Sequence, residues 1–293
     1  MATSSSRTSP LQIRRATAAD VVACGKICFD AFTQINERHR FPPELPTLEI
    51  ACGVLGMMFS HPHFHCIVAE RHGRIVGSNC LDERAVIAGL GPITVAPGEQ
   101  DGRIGRALML ALLERARERR FAGIRLVQST FHNRSLALYA KLGFDAREPM
   151  SVMQGRPIGR VPEGTDVRDA VEDDVPSCAR LCMEAHGYER SSELRDGISQ
   201  GSARVVERGG RVTGYTTALA YGGHSVGESN EDLQALIGAA EAFEGPGFIV
   251  PTRNASLFRW CLVNGLRVVQ PMTLMSIGLY NDPASAYLPS VLG

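Results

Sequence analysis

The stretch Gly91–Leu113, GPITVAPGEQDGRIGRALMLALL, reads as a short strand, a glycine-rich turn and a helix. Gly98, Gly102 and Gly105 punctuate the turn, Arg103 and Arg106 lie among them, and no acid follows Asp101 until Glu114. A helix start leaves backbone N–H groups unpaired and carries partial positive charge, so it attracts phosphate. Glycines let the backbone approach an anion closely. Gln100–Arg106 therefore predicts a phosphate-binding helix mouth, with an ordinary strand–helix connection as the competing reading of the turn alone. The pattern is neither the GxGxxG dinucleotide fingerprint nor a P-loop, because no GK[ST] follows.

Working outward, the chain repeats itself. Ile13–Phe32, IRRATAADVVACGKICFDAF, lies against Val167–His186, VRDAVEDDVPSCARLCMEAH, with Arg14/Arg168, Asp20/Asp174, Cys24/Cys178 and Cys28/Cys182 identical. Val68–Gly77, VAERHGRIVG, matches Val205–Gly214, VVERGGRVTG; NRSLALY at Asn133–Tyr139 matches NASLFRW at Asn254–Trp260. Pro149-Met150 recurs as Pro271-Met272. Three blocks in one order predict two copies of one fold: a disordered polar tail over 1–10, a first domain over 11–155, a Gly/Pro-rich linker over 156–165 and a second domain over 166–293. Each copy predicts an extended segment, an amphipathic helix opened by Asp20 or Asp174, and a hairpin turning at Arg71-His72-Gly73 or Gly209-Gly210. Gly77 to Asn133 spans 56 positions and Gly214 to Asn254 only 40, a deficit of 16 where the first copy has its phosphate turn.

Composition bounds the partners. The 293 residues carry 31 Lys+Arg and 31 Asp+Glu, a formal net charge of +0, which argues against a dedicated nucleic-acid surface. Arg117, Arg119, Arg120 and Arg125 cluster, but Glu114 and Glu118 lie among them, as on a solvated helix face. No long apolar run implies a membrane span, and no leader implies an oxidising compartment, so a cytoplasmic protein is expected. The eight cysteines form no CxxC knuckle and are expected to be reduced core residues rather than disulfides or metal ligands. His61, His63 and His65 in HPHFH alternate as strand residues do; a wall of the substrate site is expected there, and no metal.

Val95-x-Pro97, Gln100, the Gly/Arg turn, Ala107-Leu108 and NRSLALYAKLGF at Asn133–Phe144 together resemble the GNAT superfamily of acyl-CoA-dependent N-acetyltransferases. The resemblance covers most of Ile13–Gly155 and, in degraded form, Val167–Tyr280. It implies an α/β fold: in each copy a twisted, mostly antiparallel mixed sheet flanked by helices, its central strand pair splayed so that acyl-CoA wedges between them. It further implies that Ile93, Thr94 and Val95 pair with the pantetheine arm, and that Gln100, Asp101, Gly102, Arg103, Ile104, Gly105 and Arg106 hold the diphosphate. Asn133 and Ser135 would contact the coenzyme, with Tyr139 facing the thioester sulfur. The family pattern Q-x-x-G-x-G/A is broken, since Arg103 stands where its first glycine belongs.

The implied activity is acetyl transfer from acetyl-CoA to a primary amine on a small molecule or peptide by direct attack, carried out by the first copy. A non-catalytic acyl-CoA-binding scaffold is the alternative. The chain would act as a monomer with two pseudo-symmetric domains or as a homodimer. A thiolate is a good leaving group, so Tyr139 suffices as its acid. The base is not readable from the sequence: Glu83, the candidate, stands beside Asp82 and His132, and each is more often a turn or capping residue than a base. The polar, aromatic segment Phe32–Pro46 is expected to border the amine site. In the second copy the helix expected near Ser229-Asn230 carries Glu231 and Asp232 in its first turn, and Trp260 replaces the tyrosine. These acids repel a diphosphate, so no coenzyme is expected there.

Overall fold

The computed structural model describes residues 10–100 and 102–293; the tail up to Ser9 and the turn residue Asp101 lie outside the described residues. The first half runs β1 (Gln12–Arg15), α1 (Val21–His39), α2 (Leu48–Ser60), β2 (Phe64–Arg71), β3 (Arg74–Asp82), β4 (Ile87–Leu90), β5 (Thr94–Val95), α3 (Ile104–Glu118), β6 (Gly123–Ser129), α4 (Asn133–Lys141) and β7 (Asp145–Gln154). The second half repeats that order with one strand, β11, where the first has β4 and β5: β8 (Asp166–Asp169), α5 (Val175–His186), α6 (Ser191–Ser199), β9 (Arg204–Arg208), β10 (Arg211–Thr216), β11 (Ser225–Gly227), α7 (Asn230–Ala239), β12 (Phe248–Pro251), α8 (Ala255–Val263) and β13 (Arg267–Gly278). A last strand, β14 (Ala286–Leu288), follows.

The duplicated opening motif has one physical role in both halves. Asp20 accepts from both Arg14 guanidinium nitrogens at 2.8 and 2.9 Å and from the Thr17 amide at 2.8 Å. Asp174 does the same with Arg168 at 2.7 and 2.8 Å and the Val171 amide at 2.9 Å. Each aspartate thus ties the entry strand to the start of its helix. Ile104, Leu108, Leu112 and Ala116 form the buried stripe of α3, against Val76, Leu81, Leu126 and Tyr139. Gly77 and its repeat partner Gly214 are glycines because the hairpin is approached closely there. A Cβ on Gly77 would lie 2.7 Å from the Thr94 carbonyl oxygen, and one on Gly214 2.9 Å from the Asp232 side chain.

The halves do not close separate sheets. One sheet runs β1-β2-β3-β4-β6-β13-β7-β12, with β5 beside β3, and all its pairs are antiparallel except β4–β6. Strand β13 of the second half lies between β6 and β7 of the first, while β12 pairs with β7. Met150 and Met272, matched by the sequence repeat, face each other in the β7–β13 register, so a pseudo-dyad passes between them. Strand β13 runs unbroken through Pro271, which follows a register shift between Val268 and Gln270. The second sheet runs β14-β11-β10-β9-β8.

Three further expectations are corrected. Cys66 and Cys80 form a disulfide across β2–β3, their Cα atoms 4.0 Å apart. A bulge between Ala69 and Glu70 shifts the register so that the two stand directly opposite. The other six cysteines are free; burial pushes the Cys24, Cys28 and Cys178 thiols up to about 12. Arg125 is buried on β6, hydrogen-bonded to the Tyr188 hydroxyl at 2.9 Å, whereas Arg117 does pair with Glu114 on the helix surface. The histidines share no strand face, because α2 runs to Ser60 and β2 starts only at Phe64. His61 turns to Asp196 of α6 at 3.4 Å and His65 to Arg15. Among the described residues no group of three or more His, Cys, Asp and Glu is placed to hold a metal, and no helix is long and apolar enough to cross a membrane.

Candidate active site

Strand β4 pairs with β6 only as far as Gly89–Arg125. Beyond that point the chain leaves β6, and β5 is held from the other side, with Gly77 opposite Val95 and Ser78 opposite Thr94. The Thr94 and Ser78 hydroxyls meet at 3.3 Å, and the Ala96 amide donates to the Val76 carbonyl at 2.9 Å. From Leu126 to Ser129, β6 is paired with β13 alone. Thr94-Val95 and Leu126–Ser129 therefore present two strand edges across a slot that no strand among the described residues fills. Such edges are templates for an extended, amide-bearing ligand. Ile93 and Val95 also pack on the core of the first half.

The slot leads to the mouth of α3. Arg103 is its N-cap in the left-handed region, at φ 60°, with no side-chain cap among the described residues. Helix geometry leaves the amides of the first turn without intrahelical acceptors, and that turn contains no acid. Ile104 is buried, whereas Gly102, Arg103 and Arg106 are exposed. Gln100 accepts from Arg134 at 3.4 Å. Arg71, at the end of β2, donates to Glu99 at 2.9 Å and passes beside Gly102. In the sequence Arg71 is legible only as part of a hairpin turn. Its repeat partner Arg208 shows what such a side chain does: it grips Glu231 at 2.9 Å and Asp232 at 3.1 Å at the start of α7. A non-glycine residue in the left-handed region costs about 1 kcal/mol. Arg103→Gly is therefore expected to raise folding stability by about that amount in urea denaturation; unchanged stability would show that the turn carries no strain.

Tyr139 sits on α4, 6% exposed, edge-on to Phe144 with ring centroids 6.1 Å apart. Burial pushes its hydroxyl up to about 12, partly offset by a hydrogen bond with Ser135 one turn earlier. Ser135 in turn meets His132 Nδ1 at 2.6 Å. Burial, helped by Arg134, His39 and Arg38, pulls His132 down to about 4, so it is neutral at pH 7. Asn133 opens α4 beside it.

Glu83 is placed elsewhere. Its carboxylate takes Arg115 at 2.8 and 3.1 Å, with Arg119 at 3.7 Å, towards the C-terminal end of α3. Although burial opposes it, these arginines lower its proton affinity. A carboxylate so held is a poor proton acceptor near neutrality, and its contacts tie the β3–β4 loop to α3. Asp82 is enclosed by Arg84, within a network that includes Glu193 and Asp196 of the second half.

The carboxylate missed by motif reading is Glu44, inside the segment expected to border the amine site. It is 8% exposed and accepts from Ser129 Oγ at 3.1 Å and the Tyr221 hydroxyl at 3.1 Å. Burial raises its proton affinity; hydrogen bonds from Gln270, Ser129 and Tyr221 act the other way. Phe41 of the same loop stacks on Phe131 at 4.1 Å, just beyond the end of β6.

The second half closes the corresponding features. Asp232 accepts from the Ser229 amide at 2.8 Å, the Ser229 hydroxyl at 3.0 Å and the Thr213 hydroxyl at 2.7 Å, so the mouth of α7 holds its own carboxylate. Asn230 and Asn254 bridge α7 to α8 with reciprocal amide bonds of 3.0 and 2.7 Å. Strand β14 pairs with β11 and lies against β12, in the place of the first half's open slot. A cavity of 310 Å³ remains near this mouth, lined by Glu148, Ser229, Asn230, Arg253, Asn254 and Tyr287 among others. Glu148 is bonded to Arg253 and Tyr287.

The site is thus a mixed sheet that splays beside a helix mouth rich in free amides. Residues 29–144 match the model of the acetyltransferase (GNAT) family. Solved structures similar over nearly the whole chain bear out the fold. A Pyrococcus horikoshii protein assigned as an acetyltransferase is 20% identical, covering 92% of this chain and 89% of that one, with a TM-score of 0.73. A GCN5-related N-acetyltransferase from Sphaerobacter thermophilus is 15% identical, covering 94% and 98%, at 0.61. A tandem GNAT protein from the clavulanic acid biosynthesis pathway is 16% identical, covering 92% and 98%, at 0.58. No curated protein matches the sequence significantly.

Proposed function

We propose that the protein is an N-acetyltransferase that moves an acetyl group from acetyl-CoA to a primary amine by direct attack, using the cleft of the first half. The observation that carries this reading is the contrast between the two mouths. The α3 mouth is cationic with an open slot, whereas the α7 mouth is capped by Asp232 and β14 occupies the matching place. In the second half Arg208 holds two carboxylates of the helix's own first turn; in the first, Arg71 holds Glu99 ahead of the helix and passes beside Gly102, while Arg103 and Arg106 are exposed at the mouth. The coenzyme thioester would lie between β5 and β6, with the Val95 amide polarising its carbonyl.

Tyr139 serves the leaving sulfur. A hydroxyl near 12 is a weaker acid than a thiol at about 8.5, so it stabilises the developing thiolate by a hydrogen bond rather than protonating it in advance. Tyr139→Phe is accordingly expected to lower kcat by roughly 10–100-fold while leaving acetyl-CoA affinity unchanged. Thiol release with a panel of primary amines, beside a thermal-shift titration with CoA, tests both parts. Thermal stabilisation by CoA without acetyl transfer to any amine would leave a binding protein in place of an enzyme.

A further inference from the structure

Glu44 lies where the two halves interlock, and its partners come from both. Ser129 belongs to the stretch of β6 that faces the open slot; Tyr221 precedes β11 and Gln270 lies on β13, both in the second half. Among the described residues none of the influences on this carboxylate is a cation, although a buried carboxylate normally pairs with one. One of its partners has hydrogen-bonding capacity left unused: Gln270, 1% exposed, has no partner for its Oε1 among the described residues. An orphaned buried polar atom is rare, and here it accompanies a carboxylate with no cation beside it among the described residues. The loop carrying Glu44 is anchored over the end of β6 by the Phe41–Phe131 stack.

We propose that Glu44 is the proton acceptor for the amine substrate, receiving it as an ammonium ion at the junction of the halves and taking its proton as the nitrogen attacks the thioester. The assignment rests on the acyl-transfer reading above and gives the second half a part in the first half's site. Glu44 takes one proton from the ammonium, and the freed lone pair bonds to the carbonyl carbon. The C–S bond breaks with its electron pair leaving on sulfur beside Tyr139. The nitrogen sheds a second proton as the sulfur gains one, and Glu44 then releases its proton to solvent. Tyr221 and Ser129 are positioning residues, since they act through the carboxylate. The titratable groups facing Glu44 are the Tyr221 hydroxyl and, from α1, the Cys28 thiol. A base whose proton affinity is raised toward neutrality suits this work.

The test compares acetyl transfer to phenethylamine, an ammonium ion at pH 7, with transfer to hydroxylamine, which is already neutral. Glu44→Gln is expected to lower kcat/KM about 10²–10³-fold with phenethylamine and less than about tenfold with hydroxylamine, with the CoA thermal shift intact. Tyr221→Phe removes a donor to the carboxylate, so the acid limb of the kcat/KM profile moves to higher pH. Folding gives an independent check. Between its unfolded and raised folded values Glu44 binds more protons folded than unfolded, so the wild type loses stability as pH rises through that window. Glu44→Gln should therefore melt higher than wild type at neutral pH, and the advantage should vanish in acid. Equal losses with both amines, or a Tyr221→Phe profile that does not move, would overturn the proposal alone. A wild type that transfers acetyl to no amine of the panel would overturn the transferase reading on which it rests.

Discussion

Residues 1–160 produced alone are expected to give an aggregated or molten chain with no cooperative melting transition, and co-expression with residues 161–293 is expected to restore a soluble, cooperatively folding complex. The reason is the interleaved sheet. Without β13, β6 keeps only β4 over Gly123–Arg125 and is unpaired from Leu126 to Ser129, and β7 loses both neighbours, β13 and β12. Met150, Val152 and Met153, buried on β7, would be opened to water, as would Leu126. Each fully buried aliphatic side chain of this size contributes about 1.5–3 kcal/mol, so four of them match much of a domain's net stability. Long, unpaired apolar edges also recruit other chains. Size-exclusion chromatography and thermal melting check the outcome. A monomeric fragment with a sharp transition would mean that β7 can turn back and close the first sheet itself.

Arg106→Asp is expected to raise the Kd for CoA at least about 100-fold, close to 3 kcal/mol, while leaving the protein as stable as before or slightly more so. Arg106 is the third residue of α3, the place Asp232 holds in α7. The substitution removes a cation from the phosphate mouth and supplies a carboxylate that competes for the same amides. A hydrogen bond to a charged group contributes about 1.5–3 kcal/mol, and repulsion adds to its loss. An acid in a helix's first turn stabilises it by about 0.3–1 kcal/mol, so affinity and stability should move in opposite directions. Titration calorimetry with chemical denaturation reads both. Unchanged affinity would remove α3 from the coenzyme site.

Much of this was legible in the sequence where the signal is local. The α3 mouth follows from Gly102, Arg103, Gly105 and Arg106 within one turn, and the self-capped α7 from Ser229 and Asp232. The repeat located Asp20 and Asp174 at equivalent helix starts. What stayed hidden depends on pairing at long range. When two copies share a fold, a strand that fits its own sheet also fits the other copy's, so nothing in Pro271-Met272 declares which neighbour it takes. Glu44 meets partners 85 and 177 residues away. The Cys66–Cys80 pair depends on a one-residue bulge that turn chemistry does not announce. Glu83 looked available as a base because Arg115 is distant in sequence, yet it is adjacent in space. Strand β14 is three residues long, too short to carry a pattern, although it occupies the slot of the second half.

Where the coenzyme binds is read directly by backbone-amide NMR of the ¹⁵N-labelled chain titrated with CoA. Saturation at one CoA per chain, with the largest shifts at Gly102–Arg106 and Thr94-Val95 and little change at Asn230–Asp232, is the predicted result. Shifts centred on Asn230–Asp232, or a titration that leaves the α3 amides unmoved, would contradict it.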